Sequence, residues 1–457
     1  VAPIEVLATI QYASTWSFAH HWFKANGTLS GSGIAIAAVL MVVFVIVNVI
    51  GIRWLANVNT AVTTWKVAIP ILAIVVLLLT HFHSSNFSAG GGFFVGSGSA
   101  IPKSIMEAIA SGGIVFALLG FEQAVQLGGE SANPQRDLPR AVIGSILIGA
   151  CIYTLVQLAF IGALSPSAIA SAHTWANLAN NTQLTAAPFY TVAKVAGVAW
   201  LAWVLRLDAV ISPGGTGLIY LTSTSRLSFS LSKNGYVPTV FEKTSKKSQV
   251  PVIGIVISAI IGMLFLLPFP AWGKLVGIVT AASVLMYAGA PLALGALRKS
   301  KPELPRAYKL PAAEILAPLS FVLATWIVYW SGWQVYSTLV VAVVVGYALM
   351  ALSAALKLNP NAPTIDWQAA WWIIPYLVGI GIISYFGQFG AGGIIGGVGP
   401  FKTVMVGGNG DIPFWVDLVV VSIFSLAIYY LAMMWRMPPE KVDQYVREVY
   451  PPVAEGH

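Results

Sequence analysis

Charge is what this sequence has least of. Its 457 residues include 24 Lys and Arg, 16 Asp and Glu and 6 His, so charged side chains make up only 9% of the chain. Soluble globular proteins carry about 25%. The shortfall leaves too little charge to coat a water-soluble body of this size. It excludes a soluble enzyme, an intrinsically disordered chain and a nucleic-acid-binding protein. Cysteine is nearly absent as well, and the single Cys151 excludes a disulfide framework and a Cys-based metal site.

What the chain has instead is apolar length. Hydrophobic residues make up 57% of it, and the mean hydropathy is +0.81. A membrane span needs roughly 20 mostly apolar residues. About twelve stretches qualify, near 1–22, 31–50, 61–82, 108–129, 140–164, 200–227, 250–268, 273–297, 313–332, 335–357, 368–387 and 412–436. These predict an all-α integral membrane protein embedded in a lipid bilayer. Only the residues from Met437 onward read as a polar tail.

The net charge of +8 is explained by its placement. Basic residues cluster in alternate loops: Arg136 and Arg140; Arg226, Lys233, Lys243, Lys246 and Lys247; Arg298, Lys299, Lys301, Arg306 and Lys309; and Arg436, Lys441 and Arg447 in the tail. The intervening loops are poor in Lys and Arg, with only Lys103 in 82–107, Lys194 in 165–199 and Lys402 in 388–411. Lys and Arg accumulate on the cytoplasmic side. The expected orientation is therefore multi-pass in the cell membrane, with the basic loops and the C-terminus cytoplasmic. By parity Val1 lies inside too, yet no basic leader precedes it, which points to a segment upstream of this chain. The three Asn-x-Ser/Thr triplets, at Asn26, Asn86 and Asn180, fall in expected outer loops and read as chance occurrences.

The most informative stretch is Gly112-Gly113-Ile114-Val115-Phe116-Ala117-Leu118-Leu119-Gly120-Phe121-Glu122, continuing to Gly129-Glu130-Ser131-Ala132-Asn133-Pro134-Gln135-Arg136-Asp137-Leu138-Pro139. Each glycine loosens a helix by about 1 kcal/mol relative to Ala. Broken helix inside a bilayer is tolerated only where it lines a cavity or is buried in protein. The pattern predicts a break near Leu118–Gly120; close packing of helices through small residues is the alternative. Three further segments stand out: Ser225-Arg226 running to Asn234-Gly235-Tyr236-Val237-Pro238; Asn59-Thr60 through Trp65-Lys66; and Leu294 to Pro311, with Arg298, Pro302, Pro305 and Pro311.

Together these segments resemble the sixth helix and following loop, the end of the eighth helix, the fifth helix, and the loop after the tenth helix of the amino acid–polyamine–organocation (APC) superfamily. Among its subfamilies the sequence is most similar to permeases of the aspartate/glutamate–proton symporter type, which have fourteen spans. The resemblance implies a five-plus-five inverted-repeat bundle with extra C-terminal helices. Residues 1–82 match the third to fifth family helices, 108–297 the sixth to tenth, 313–436 four additional helices, and 437–457 a cytoplasmic tail. The family's first two helices, one of which carries a Gly-rich break holding the substrate carboxylate, have no counterpart in this chain.

The resemblance also implies roles. The broken sixth helix presents carbonyls to a substrate amino group, which assigns Phe116, Ala117, Leu119 and Gly120 to substrate binding, with Phe116 where the family often has an aromatic that closes over the substrate. An ordinary core Phe is the alternative. Glu122 supports the break by hydrogen bonding or changes protonation during transport. In proton-coupled relatives a lysine at the position of Lys66 stands in for a sodium ion.

The residues themselves add to this. A charged Lys at mid-bilayer costs at least about 2.5 kcal/mol, so Lys66 is expected to titrate; the alternative is snorkelling to the inner interface. Arg206 and Asp208 lie in the outer half of the eighth family helix. At i and i+2 they should not face each other, so at least one needs another partner. A substrate carboxylate would suit Arg206; a neighbouring helix is the alternative. Asp208 joins Lys66 and Glu122 as a candidate for proton coupling. Pro213, Gly214 and Gly215 are expected to kink this helix near Lys66 and expose carbonyls to it. Gln11, Ser14 and Thr15 are placed to line the cavity, and Glu5 to lie near the inner end. His20, His21, His81 and His83 fall at outer span ends without a carboxylate, which does not suit a zinc site. The glycines of 392–403 lack the Gly-Lys-Ser/Thr of a phosphate loop and read as an outer loop. No cofactor and no metal are expected.

The function expected is secondary active transport of an amino acid, by proton symport and with aspartate or glutamate as candidate substrates. An amino acid or amine exchanger on the same fold is the alternative. A channel would use filter rings from several subunits, and a membrane-embedded enzyme would need a nucleophile–base pair or metal ligands within the spans, which this sequence does not offer.

Overall fold

The structure, a computed structural model, describes residues 1–24, 28–50, 52–94, 96–126, 131–245, 250–266, 272–304, 306, 308–362, 366–390 and 407–449. Asn26 and Gly27, Gly129 and Glu130 of the long motif, Lys246, Lys247, Pro305 and the glycine-rich 392–403 segment with Lys402 lie outside the described residues.

The described chain is helical. α1 (Ala2–Ala13), α2 (Gly31–Ile50) and α3 (Ile52–Thr80) come first. α4 (Ala100–Ala110), α5 (Ile114–Leu118) and α6 (Glu122–Gln126) form an interrupted rod, followed by α7 (Pro134–Ala163). Short helices α8 (Pro166–Ala172), α9 (Thr182–Ala186) and α10 (Pro188–Val195) lead into α11 (Ala199–Lys233), then α12 (Val252–Leu266) and α13 (Trp272–Ser300). α14 (Ala313–Trp330), α15 (Gly332–Ala355), α16 (Trp367–Ala370), α17 (Ile373–Phe386) and α18 (Phe414–Met434) complete the apolar part, and α19 (Pro439–Val449) lies in the tail.

Nine segments among the described residues are long and apolar enough to cross a membrane: 31–50, 61–80, 100–118, 134–163, 275–300, 313–330, 332–355, 367–386 and 414–434. α2 shows why. It buries Met41 and Phe44 yet leaves Val39, Val42, Val43 and Ile46 exposed. A helix apolar on every side needs apolar surroundings.

Three expected spans differ from that description. The helix expected over 1–22 stops at Ala13, because the chain tightens into i→i−3 bonds (Thr15 N–H to Tyr12 O, 3.1 Å; Trp16 N–H to Ala13 O, 2.9 Å). The hydroxyls of Ser14 and Thr15 reinforce this by donating to Gln11 O (2.6 Å) and Tyr12 O (2.8 Å), the usual competition of small polar side chains with a helix. α11 has 35 residues, but Arg206, Asp208, Pro213, glycines and hydroxyls keep it from being plainly apolar, and α12 shows 15 residues up to Leu266, beyond which 267–271 lie outside the described residues. The apolar stretch expected from 108 also starts earlier, with a helix from Ala100.

Three apolar clusters fill the interior. One joins α1, α2 and α12 with Leu221 of α11; a second joins α3, α7 and α10 with Leu201, Ala202 and Leu205 of α11; a third is built by α13, α14, α15, α17 and α18. α11 therefore runs between the first two and offers a polar edge to both. Its far end falls where the resemblance implies the end of the eighth family helix. Gly235, at φ +83°, lets Tyr236 N–H return to Leu231 O (2.9 Å), and Asn359 pins the turn by donating to Ser232 O (2.7 Å) and Val237 O (2.9 Å).

Candidate functional site

The expected break is present. α5 ends at Leu118, Leu119 is extended (φ −66°, ψ 154°), and Gly120 adopts φ +112°, where a side chain is strained. In a continuous helix Gly120 N–H would bond to Phe116 O. Here it donates to Glu122 Oε2 (2.8 Å), and Phe116 O accepts from Leu119 (3.1 Å) instead. Gln123, the helical donor to Leu119 O, bonds to Gly120 O (3.0 Å), which frees the Leu119 carbonyl from its usual donor. Tyr287 of α13 donates to the same Glu122 oxygen at 2.7 Å. Phe116 packs half-buried on the α1–α2–α12 cluster, and Ala117 is exposed.

α3 and α11 meet at Lys66. Lys66 Nζ donates to Thr216 Oγ1, and the neighbouring Trp65 Nε1 donates to Asp208 Oδ1 at 2.8 Å. Ser212 Oγ, one turn along α11, donates to the same Asp208 oxygen at 2.5 Å. Gly215 permits this approach: a Cβ there would stand 2.6 Å from Val62 Cγ1 and 3.8 Å from Lys66 Cε. The Lys66 ammonium is flanked electrostatically by Asp208 and by Glu5 of α1. Pro213 does not interrupt α11, and the group that receives Lys66 is the Thr216 hydroxyl, not a carbonyl exposed by a kink.

Arg206 occupies a third place. Its Nε donates to Thr15 Oγ1 at 2.9 Å, and its guanidinium carbon lies 4.7 Å from the Trp16 ring centre and 5.1 Å from that of Tyr190. The aromatic faces hold the cation. No ion pair links Arg206 to Asp208, as their spacing predicts. Beside it Gln11 Nε2 donates to Thr185 O at 2.9 Å, bracing α1 against α9, while Ser14 caps its own helix.

α11 thus touches all three places, through Arg206, through Asp208 to Thr216, and through Tyr220 and Ser223. A Cβ on Gly120 would lie 3.5 Å from the Tyr220 hydroxyl, and Ser223 donates to Gln123. The rise of about 1.5 Å per residue puts the Arg206 level roughly 20 Å along α11 from Tyr220. Lys66 and Asp208 are brought together; Arg206 and Gly120 meet α11 at levels roughly 20 Å apart.

Other expectations resolve locally. Asn86 is buried, with Nδ2 donating to Ile161 O (2.8 Å) and Leu164 O (2.9 Å), so its amide is engaged inside the fold. His20 and His21 stack edge to face, with ring centres 5.7 Å apart. Among the described residues no three His, Cys, Asp or Glu side chains converge as a metal site. Sequence reasoning put Glu5 at an inner end and missed its proximity to Lys66. It also missed Tyr287, Tyr220 and the aromatic cradle of Arg206, because no local pattern marks contacts between residues this far apart in the chain.

Comparison with known proteins supplies the context. The amino acid permease family profile matches residues 6–327. A glutamate/serine transporter of Bacillus subtilis (strain 168) is 33% identical over 454 residues, covering 98% of this chain and 78% of the relative. An aspartate-proton symporter of the same organism is 34% identical over 447 residues, covering 96% and 79% respectively. A branched-chain amino acid permease of that organism is 26% identical over 240 residues, 52% of this chain and 48% of the relative. Profile, relatives, membrane-crossing helices and a broken helix braced by Glu122 converge, and the chain belongs to the amino acid permease family of the APC superfamily, whose members are transporters rather than enzymes.

Proposed function

We propose that this permease couples uptake of an acidic amino acid to entry of a proton. The observation that carries the reading is the Lys66 amine, held in the interior by the Thr216 hydroxyl and flanked by Asp208 and Glu5. An amine in such a place can occupy a cation site when protonated and vacate it when neutral. Its protonation therefore changes how strongly α3 is held to α11, beside the bond from Trp65 to Asp208. Asp208 shares the load through Trp65 and Ser212, and Glu122 keeps the broken helix in shape for a substrate amino group at the carbonyls around Phe116, Ala117, Leu119 and Gly120.

Arg206 selects for a second carboxylate. Its distance from the break makes it an entry station: the guanidinium leaves its aromatic cradle to meet an incoming Asp or Glu, and Gln11 and Ser14 line the same approach. Support for an acidic substrate and for a proton also comes from the names of the relatives, one a glutamate/serine transporter and the other an aspartate-proton symporter. The orientation follows the basic loops: Arg226, Lys233, Arg298, Lys299 and the tail lie in the cytoplasm, and the protein sits in the cell membrane.

The test is uptake by purified protein in liposomes, with and without an inward proton gradient, across the amino acids. The reading expects gradient-driven accumulation of Asp or Glu, blocked by either as competitor. Gradient-independent exchange with internal amino acid would point to an antiporter. Competition by a neutral or cationic amino acid alone would remove the acidic assignment.

A further inference from the structure

α7 is longer than a bilayer requires. Its 30 residues rise about 45 Å, against a hydrocarbon core of about 30 Å. Its strongly polar start, Gln135, Arg136, Asp137 and Arg140, therefore stands in the headgroup layer. Arg136 and Arg140 are four residues apart on one face, where like charges repel. Both are exposed, and among the described residues neither takes part in an ion pair; Asp137 receives the Ser131 hydroxyl at 3.0 Å.

These arginines line a groove of about 700 Å³ with Pro139, Ile143, Gly144 and Tyr308. Tyr308 comes from the segment after α13, so the groove is built by two parts of the chain. Its floor is open, since a Cβ on Gly144 would meet nothing within 4 Å. The same face continues into the bilayer as Ile143, Leu147 and Ile148, exposed at 50%, 65% and 62%. Two guanidinium forks at the headgroup level, a phenol beside them and an apolar track below form an amphipathic slot. A guanidinium binds phosphate oxygens in pairs, and a Tyr at this depth is an interfacial residue.

We propose that this groove binds the phosphate of an anionic membrane lipid, with its acyl chains along Ile143, Leu147 and Ile148. A bound phosphate relieves the repulsion between Arg136 and Arg140. Free phosphate shares the headgroup chemistry but gains nothing from the apolar track.

The test is thermal unfolding of the purified full chain in detergent with added phosphatidylglycerol, phosphatidylcholine, glycerophosphoglycerol or inorganic phosphate, together with native mass spectrometry of retained lipid. The expected result is a Tm rise and retained lipid with phosphatidylglycerol only. Arg136→Gln with Arg140→Gln should lose both, and Gly144→Leu, which fills the floor without changing charge, should weaken both. Lys299→Gln, which removes a basic residue elsewhere, should keep both. Equal shifts with inorganic phosphate or glycerophosphoglycerol would make the site one for a soluble anion and overturn the lipid assignment. Full retention of phosphatidylglycerol by the double arginine variant would overturn the site itself.

Discussion

A lysine ammonium inside a bilayer has three protons to place and little water to take them. Lys66 places one on Thr216, and its surroundings supply two carboxylates, Glu5 and Asp208. Thr216→Val should therefore weaken proton-driven accumulation while leaving the bundle folded, since it removes an acceptor and keeps the shape. The check is transport at fixed pH gradient beside an unchanged Tm. Glu122 answers to a different test. Its oxygen takes both the Gly120 N–H and the Tyr287 hydroxyl, so Glu122→Ala strands two donors. Unsatisfied buried donors cost about 1–3 kcal/mol each. Thermal unfolding should show a clear loss of stability, with Tyr287→Phe milder at about 0.5–1.5 kcal/mol. For Arg206, removing a charge-assisted partner costs roughly 2–5 kcal/mol when the carboxylate is left unpaired. Arg206→Ala should lose Asp and Glu uptake selectively, and Arg206→Lys should rescue poorly because neither the fork nor the stacking on Trp16 and Tyr190 survives.

At the scale of elements, α11 is the spine and its small residues set who approaches. Gly215→Leu would drive a side chain into Val62 and Lys66 of α3. Overpacking of this kind costs about 1–3 kcal/mol, and here it should also part Lys66 from Thr216. Loss of transport together with a lowered Tm is expected; unchanged transport would mean that the α3–α11 seam is not part of the cycle. Much at this scale was legible in the sequence. The Gly120-Phe121-Glu122 pattern predicted a break because a carboxylate and glycines are costly in an apolar helix unless they serve one. The likeness of Ser225–Pro238 to the end of the eighth family helix implied that α11 ends here. The stop of α1 at Ala13 was not legible, because Ser14 and Thr15 end that helix through local hydroxyl bonds that hydropathy does not register. Nor was the setting of Arg206, whose partners Thr15 and Trp16 in the turn after α1 and Tyr190 in α10 are joined to it only by tertiary packing.

For the whole molecule, the tail is tied back to the bundle. Lys441 bonds to Asp366 at 2.9 Å and Lys301 to Asp443 at 2.6 Å. The hydrogen bond from Lys441 holds the Asp366 carboxyl below the usual carboxylate range, and the bond to Asp443 raises Lys301 above the usual amine range. A lowered carboxyl contributes its stabilisation above its ordinary pKa and loses it as pH falls through the lowered value. α19 should therefore stay docked from neutral pH to the ordinary carboxylate range and loosen only in stronger acid. Limited proteolysis of the tail by an acid-active protease, as a function of pH, checks this; release near neutral pH would contradict it. High salt should loosen it at any pH.

The central claim is that the Lys66 proton drives transport. The measurement that meets it most directly is accumulation of labelled aspartate or glutamate in liposomes under an inward proton gradient, comparing the intact protein with Lys66→Ala and pairing each with a substrate-induced Tm shift. The account predicts that the intact protein concentrates substrate above the external level, and that Lys66→Ala abolishes this while its Tm still responds to substrate. Accumulation by Lys66→Ala under the same gradient would contradict the account and pass the proton to Asp208 or Glu122.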